Sequence, residues 1–591
     1  MKSRNIIIIV FMIFIISIAC STSPQDEEDK EIPQKETFVL PDPDKEFAGS
    51  EACKDCHLNI YNKWEESLHA LFIRKPEEDP GVVADSDFNG VDDFKQGITL
   101  GDTTNVPRND IVFETYWLSR VSPRLFYNTN DGYGVKIEDK SYKIFYTLGG
   151  NSYWKQLFIT KIDNLFFILP IQYNEKTNYW ALYDTSVWYT GTNPVTPSTD
   201  VSWEKNCSGC HVTGLVYAGK NEKGNYVTVY KELNIGCEAC HGSGKMHINK
   251  NGEKGTIINP SKLITKRAGD ICAACHSRGR SIPFGIFPFP WDDSSNTAFR
   301  PGSNLERFFS LIESIRNANQ NNHAQSDEFK LSRHAQAGIT CYTCHEPHNS
   351  EWEHSLNRNP DDNSLCIITD CHSSDLNSLY VLSGITSSGD ISGHTKHKVD
   401  KNNTSKPYDG GGSKCISCHM PYTASSSVLW DISNHSFTIF YPAETNKIGN
   451  ARPNSCMNGN CHTIKDNSVN NWSSANEVDN NNATIAITDL WGNLPPVADA
   501  GQNLLASLDS TVNLDGSKSF DPNDSTLPYG DDINYNWIQK EGPVNINLDN
   551  NNISKPGFKA VFPGEYTFEL KVSDSTLESK ASSIKVTVIR K

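Results

Sequence analysis

Scarcity characterises this chain more than abundance does. Of its 591 residues only 37% are hydrophobic, 17 are histidine and 5 are methionine. No apolar run beyond residue 16 approaches the roughly 20 residues a membrane-crossing helix needs, so nothing after the leader is expected to span a bilayer as a helix. Basic residues are short as well. The 54 Lys and Arg against 71 Asp and Glu give a formal net charge of −17, which repels a phosphate backbone and excludes nucleic acid as a natural partner. Residues 82–203 and 494–591 hold neither Cys nor His, so ligand chemistry of that kind has to reside elsewhere.

What is present is concentrated. Cys53-Lys-Asp-Cys56-His57, Cys207-Ser-Gly-Cys210-His211, Cys237-Glu-Ala-Cys240-His241, Cys272-Ala-Ala-Cys275-His276, Cys341-Tyr-Thr-Cys344-His345 and Cys415-Ile-Ser-Cys418-His419 all read as c-type haem attachment sites. One helical turn carries cysteines at i and i+3 and a histidine at i+4, presenting two thiols to the haem vinyl groups and an imidazole to the iron. Cys366-Ile-Ile-Thr-Asp-Cys371-His372 and Cys456-Met-Asn-Gly-Asn-Cys461-His462 put four residues between the cysteines and do the same if the extra pair loops out. That makes eight haem sites. They use sixteen of the seventeen cysteines and leave only Cys20, so none remain for disulfides. Zinc ribbons also pair cysteines, but they do not explain a histidine after the second cysteine in all eight cases when histidine is so rare.

Seven of the sites fall between residues 207 and 462, too densely for seven separate protein cores. The haems themselves are expected to form the core, offsetting the sparse aliphatic content. Porphyrin edges then lie near one another, as an electron relay requires. A haem with two protein ligands passes electrons, whereas one with an open position can bind a small molecule. Nine histidines lie outside the motifs, enough for eight second ligands: His69, His247, His334, His348, His397 and His435 are the expected distal set, with two more drawn from His323, His354 and His394.

The N-terminus has a basic start, an apolar stretch from Ile6 to Ile16 and small residues before Cys20, which reads as a secretory signal. Ala19-Cys20 resembles a bacterial lipobox and implies a lipid on Cys20, although Ser17 departs from the usual leucine. Ser21 to Glu46 is polar, acidic and proline-bearing, a tether with too little apolar surface to fold. Ser21 after the lipid cysteine resembles the outer-membrane sorting signal.

Further resemblances follow from specific residues. Trp64-Glu-Glu-Ser67-Leu-His69 is similar to a helix that supplies an axial histidine in the family of small tetrahaem carriers. Short β-rich runs, Ile111 to Trp117, Tyr142 to Thr147, Gln156 to Thr160, Leu165 to Ile171 and Tyr179 to Tyr183, predict an antiparallel insertion whose Trp180 and Trp188 serve as core or haem-packing residues. Asn234-Ile-Gly-Cys237, Cys240-His241-Gly-Ser-Gly-Lys-Met-His247, Ser332-Arg-His334, Cys344-His345-Glu-Pro-His348 and Cys418-His419-Met-Pro421 with Asn434-His435 resemble octahaem cytochromes related to hydroxylamine oxidoreductase and pentahaem nitrite reductase. That family holds both reductases and carriers. Its nitrite reductases replace the motif histidine by lysine at the catalytic haem, a departure absent from all eight motifs here.

Beyond Trp472 the chain is Asn-rich. Thr511 to Asp521, Ile533 to Trp537 and Gly564 to Asp574 then alternate as strands and closely resemble a PKD-type immunoglobulin-like sandwich with Trp537 in its core. The Asp515 to Asp524 loop offers oxygens of the kind calcium takes, but it reads first as a solvated turn. The expected class is a multidomain α+β chain, a haem-cored and helix-poor-to-moderate cytochrome with a β-rich insertion and a C-terminal β-sandwich. Its expected divisions are a signal peptide (1–19), a lipidated tether (20–47), a first haem segment (48–75), the insertion (76–203), a seven-haem core (204–475), a linker (476–493) and the sandwich (494–591). The expected function is electron transfer at the outer membrane between redox partner proteins or to an extracellular acceptor. The alternative is a haem-dependent reductase or oxidoreductase of a small nitrogen or sulfur compound.

Overall fold

Strands form wherever β-branched and aromatic residues alternate with polar ones. The computed structural model describes residues 39–79, 84–86, 88–100, 122–150, 153–175, 178–190, 193–311, 324–360, 363–367, 371–372, 394–397, 414–424, 426, 430–447, 452–457, 462, 477–524 and 533–590. The signal, Cys20, most of the tether, Ile111 to Trp117, His323 and Cys461 lie outside the described residues. An antiparallel five-stranded sheet runs in the order Ile73–Arg74, Tyr146–Gly150, Tyr153–Ile162, Leu165–Asn174, Tyr179–Leu182. A three-stranded sheet of Arg124–Asn128, Gly132–Ile137 and Lys140–Lys143 accompanies it. Their shared core is aromatic. Trp180 sits 5.4–5.7 Å from the ring centres of Phe94, Phe158 and Tyr173, and its indole N–H donates to buried Asp93 at 2.5 Å. Trp188 is buried too and donates to the Ile168 carbonyl, so both tryptophans serve packing.

The cysteine-rich region is built differently. Its helices are mostly single turns, among them Ser208–His211, Cys237–His241, Cys341–Cys344 and Cys415–His419, with Lys54–Trp64 and Thr265–His276 longer. Four- and five-residue helices do not persist alone, so neighbours must hold them. Glu238 shows how: its buried carboxylate accepts the N–H groups of Ala48, Gly49 and Gly244 at 2.6–3.1 Å, tying the first motif's segment to the third motif.

The segment expected as an Asn-rich linker is instead the helix Glu477–Trp491. Asn480, Ala483, Thr484 and Ile487 recur at helical spacing and are all buried, which a count of asparagines conceals. Amide pairs link Asn480 to Asn446 and Asn454 and link Asn481 to Asn446, at 2.7–2.9 Å, joining the helix to Pro442–Lys447 and the loop before Cys456.

At the C-terminal end, Leu504–Ser507, Ser582–Ile589, Gly564–Ser573 and Asn534–Glu541 make a four-stranded sheet, in that order, facing a pair formed by Thr511–Asn513 and Gly557–Lys559. Tyr566, Phe568, Leu570 and Val572 point inward at every second position around buried Trp537. Leu40–Lys591 hold together as one unit.

Candidate haem-binding site

Fifteen of the motif cysteines and all eight motif histidines are described, and together they line one continuous cavity of about 3830 Å³. A pocket for one drug-sized ligand measures roughly 300–1,000 Å³, so this space suits several large groups. The motif helices supply its walls. In the second motif Gly209 is obligatory, because a Cβ there would sit 2.0 Å from the Phe289 ring. In the first wide motif the His372 N–H donates to the Cys366 carbonyl across the longer loop.

Histidines meet in pairs across the cavity. The ring centres of His69 and His276 are 6.4 Å apart, His241 and His348 6.1 Å, His334 and His372 5.8 Å, His345 and His435 6.4 Å, His394 and His419 6.3 Å, and His397 and His462 6.2 Å. A metal–imidazole bond of about 2 Å plus roughly 1 Å from nitrogen to ring centre, taken on both sides, puts two axial imidazoles about 6 Å apart. Each pair joins one motif histidine to one histidine from outside the motifs. His394 therefore belongs with the paired set, and the Trp64-to-His69 segment is not one helix. Lys54–Trp64 ends, Ser67 caps the separate turn Leu68–Leu71, and that turn delivers His69 to the fourth motif.

The other ring nitrogen is tied back. Nδ1–H donates to the Ile258 carbonyl from His241 (2.9 Å), to that of His354 from His345 (3.0 Å), to that of Ser433 from His435 (3.0 Å) and to that of Thr395 from His397 (2.5 Å). His348 donates to the Glu346 carboxylate, and His247 bonds the Thr256 hydroxyl, both at 2.9 Å. A carbonyl only accepts, so Nδ1 carries the proton and Nε2 presents its lone pair to the cavity, as a metal ligand must. Burial lowers His69, His211 and His435 to about 4, keeping these imidazoles neutral at pH 7.

Cysteines of different motifs lie near one another. Cys53 and Cys237, Cys210 and Cys275, Cys272 and Cys341, and Cys366 and Cys415 are each close enough to perturb the other's thiol. Cys240 is close enough to Cys275, and Cys344 to Cys371, to perturb it electrostatically. The Ser455 hydroxyl donates to the Cys418 carbonyl at 3.0 Å, joining the seventh motif to the eighth. These proximities link the motifs in the order first, third, fourth, fifth, sixth, seventh, eighth, with the second attached at the fourth and, through the Asn234 N–H on the His211 carbonyl, at the segment leading into the third.

The family model "Cytochrome c554 and c-prime" matches residues 175–242, and a PKD domain model matches residues 500–588. The chain is 24% identical over 435 residues to the dissimilatory sulfite reductase MccA of Wolinella succinogenes, covering 65% of this chain and 52% of that protein. It is 26% identical over 149 residues to cytochrome c-554 of Nitrosomonas europaea, covering 23% of this chain and 57% of that one. It thus spans about half the length of these curated relatives. Among solved structures, the outer cell wall cytochrome OcwA is 20% identical with a TM-score of 0.46, over 75% of this chain and 89% of that one.

The chain is a multihaem cytochrome with a C-terminal PKD domain. Within this cytochrome, His57 and His211 form no histidine pair at the separations above among the described residues. His211 instead stacks on Phe72, with centroids 4.7 Å apart and planes at 11°. At that separation Phe72 packs flat against the imidazole and steadies it. Beside Cys207 is a group the motifs did not announce: Tyr183, with the Lys155 ammonium 5.0 Å from its ring centre and Arg278 nearby. Burial pushes the Tyr183 phenol up to about 12, so it stays protonated as a donor. Only their positions, Lys155 on a strand of the insertion, Tyr183 just past one and Arg278 after His276, could have hinted at this grouping.

His247 and His354 both line the same cavity; His354 also lends its carbonyl to His345, and its ring lies 3.4 Å from Glu353. In the PKD domain, Asp515 accepts the Ser517 hydroxyl and pairs with Lys555 at 2.9 Å, so a lysine ammonium already answers the charge of this loop. No cluster of three or more His, Cys, Asp or Glu suited to a metal ion occurs among the described residues, and no helix there is long and apolar enough to cross a membrane.

Proposed function

We propose that this cytochrome is an exported electron carrier with eight haems c, anchored through a lipid on Cys20 at the outer membrane and exchanging electrons with redox partner proteins or an extracellular acceptor. The observation that carries this reading is the set of six histidine pairs at iron-spanning distance around one cavity. The cysteine pairs of the eight motifs would form the thioethers, their histidines the proximal ligands, and His69, His348, His334, His435, His394 and His397 the distal ones. His247 is the candidate for the His57 site, since both line the cavity and its Nδ1 is already engaged by Thr256. When bound, the haems supply one-electron redox chemistry. A haemochrome assay with intact mass should return eight haems per chain, and six would remove the two wide motifs from the assignment. Cys20→Ala should release the protein from membranes. Retention would refute the anchor.

A second reading is favoured by one feature. His211 has no histidine opposite it among the described residues, and Lys155, Tyr183 and Arg278 cluster beside its motif. Two cations and a phenol suit a small oxyanion, and a relative bears the name sulfite reductase. On this reading the second site reduces a small sulfur or nitrogen compound with electrons from the other seven. Carbon monoxide added to the reduced protein separates the readings. A Soret shift of one haem per chain, abolished by no distal variant and accompanied by sulfite, nitrite or hydroxylamine turnover, selects the reductase. No shift and no turnover select the carrier.

A further inference from the structure

The chain's C-terminal domain reaches the haem cavity, which its position after an Asn-rich stretch gave no reason to expect. His394 lies on residues 394–397, none of which is buried, so its placement depends on whatever grips its backbone. The Trp491 indole N–H provides one such grip, donating to the His394 carbonyl at 3.1 Å. Trp491 is the last residue of the helix Glu477–Trp491, and the sandwich holds that helix end. Asn523 donates to the Thr488 hydroxyl at 2.8 Å and to the Gly492 carbonyl at 3.0 Å, and its own carbonyl accepts the Leu494 N–H at 2.6 Å. Asn493 donates to Asp574 and Thr576. Phe520 of the sandwich buries itself against Ala443, with Tyr441 and Val497 around it. Leu494 and Lys580 line the same cavity as His394 and His419.

We infer that the PKD domain is a clamp on the seventh haem site: through Asn523 it fixes the end of the 477–491 helix, and through Trp491 that helix sets the position of His394. Trp491 is a positioning residue, since it touches the ligand's backbone and not the reacting atoms. The inference rests on the reading that His394 and His419, whose planes lie 8° apart at 6.3 Å, hold one haem.

The test uses the full chain carrying Trp491→Leu, Trp491→Phe or Asn523→Ala. Trp491→Phe keeps an aromatic ring and removes the donor, and Asn523→Ala leaves Trp491 in place while loosening the sandwich's hold. In each variant, one haem equivalent should change its electron paramagnetic resonance signal and its midpoint potential, with the other haems unmoved and Trp491→Leu the largest effect. Mass spectrometry of the Cys415–Cys418 peptide reports haem attachment independently. Haem on that peptide with wild-type spectra and potentials in all three variants overturns the clamp. No haem on that peptide in the wild type overturns the underlying assignment instead.

Discussion

One imidazole nitrogen governs much of this protein's chemistry. An Nδ1–H with an acceptor makes the opposite nitrogen a stronger donor and favours the ferric state. In five of the six pairs at least one ring has such an acceptor; in the His69–His276 pair it is the Gln325 side-chain carbonyl, 3.4 Å from His276 Nδ1. His334 and His372 have none, both Nδ1 atoms being buried and unbonded, with Phe437 packed on His334 at 4.3 Å. Their haem should therefore show the most positive midpoint potential, and the component missing from a potentiometric titration of His334→Ala should be the highest. The interplanar angles predict spectra too. Near-parallel imidazoles (8°, 16° and 22°) split the two iron orbitals they overlap, whereas near-perpendicular ones (66°, 66° and 77°) leave them nearly degenerate. The oxidised protein should show both ordinary rhombic and highly anisotropic low-spin signals in comparable amounts, and a uniform rhombic spectrum would contradict these angles. Glu204 adds a pH dependence. Burial raises its carboxyl to about 7 from an ordinary 4.5. The folded state then holds a proton that the unfolded chain has released, so stability falls as pH rises from about 4.5 to 7, by about 3 kcal/mol at most. Glu204→Gln should flatten the melting temperature across that window. The motif residues were legible in sequence because local spacing encodes them. The pairings were not, because His69 and His276 meet only after the chain has traversed the whole insertion.

Among the elements, the strands were readable from alternation and the short motif helices from the haem chemistry they serve. The 477–491 helix was not, because its buried stripe mixes Asn480 and Thr484 with Ala483 and Ile487, and buried amides look like linker composition until their partners Asn446 and Asn454 are known. The element beside it carries the most consequential ion pair of the described residues. Arg452 meets Glu444 at 2.8 Å with side chains 2% and 1% exposed, and its guanidinium lies 3.6 Å from the Phe440 ring centre. It thereby joins Pro442–Lys447 to the loop that leads into Cys456. Arg452→Met strands a buried carboxylate and should destabilise the protein by about 3–5 kcal/mol, whereas adding Glu444→Leu should restore most of the loss. Chemical denaturation of the single and double variants checks this, and equal stability of both would show that the charge pair is not what holds the loop.

Across the molecule, neighbouring cysteines and the Ser455–Cys418 bond order the eight motifs differently from the sequence. Cys53 lies beside Cys237 of the third motif, while Cys210 of the second lies beside Cys275 of the fourth. On the proposed eight-haem reading, the second site is a side branch, and the through route runs from the first site by way of the third, fourth, fifth, sixth and seventh to the eighth. No spacing in the sequence could reveal a branch, because adjacency there depends on which single-turn helices the insertion and Glu238 bring together. A branch suits a site whose histidine has no histidine opposite it among the described residues: it can draw electrons from the relay without lying in its way. The consequence is measurable. Replacing Cys207 and Cys210 by serine should remove one haem yet leave electron conduction across the protein, read between electrodes or as oxidation of the other haems by a surface acceptor, within about twofold of wild type. Replacing Cys341 and Cys344 by serine removes a haem on the through route, and conduction should fall by orders of magnitude. If the two double variants are equally impaired, the haems conduct in sequence order and the branch is wrong.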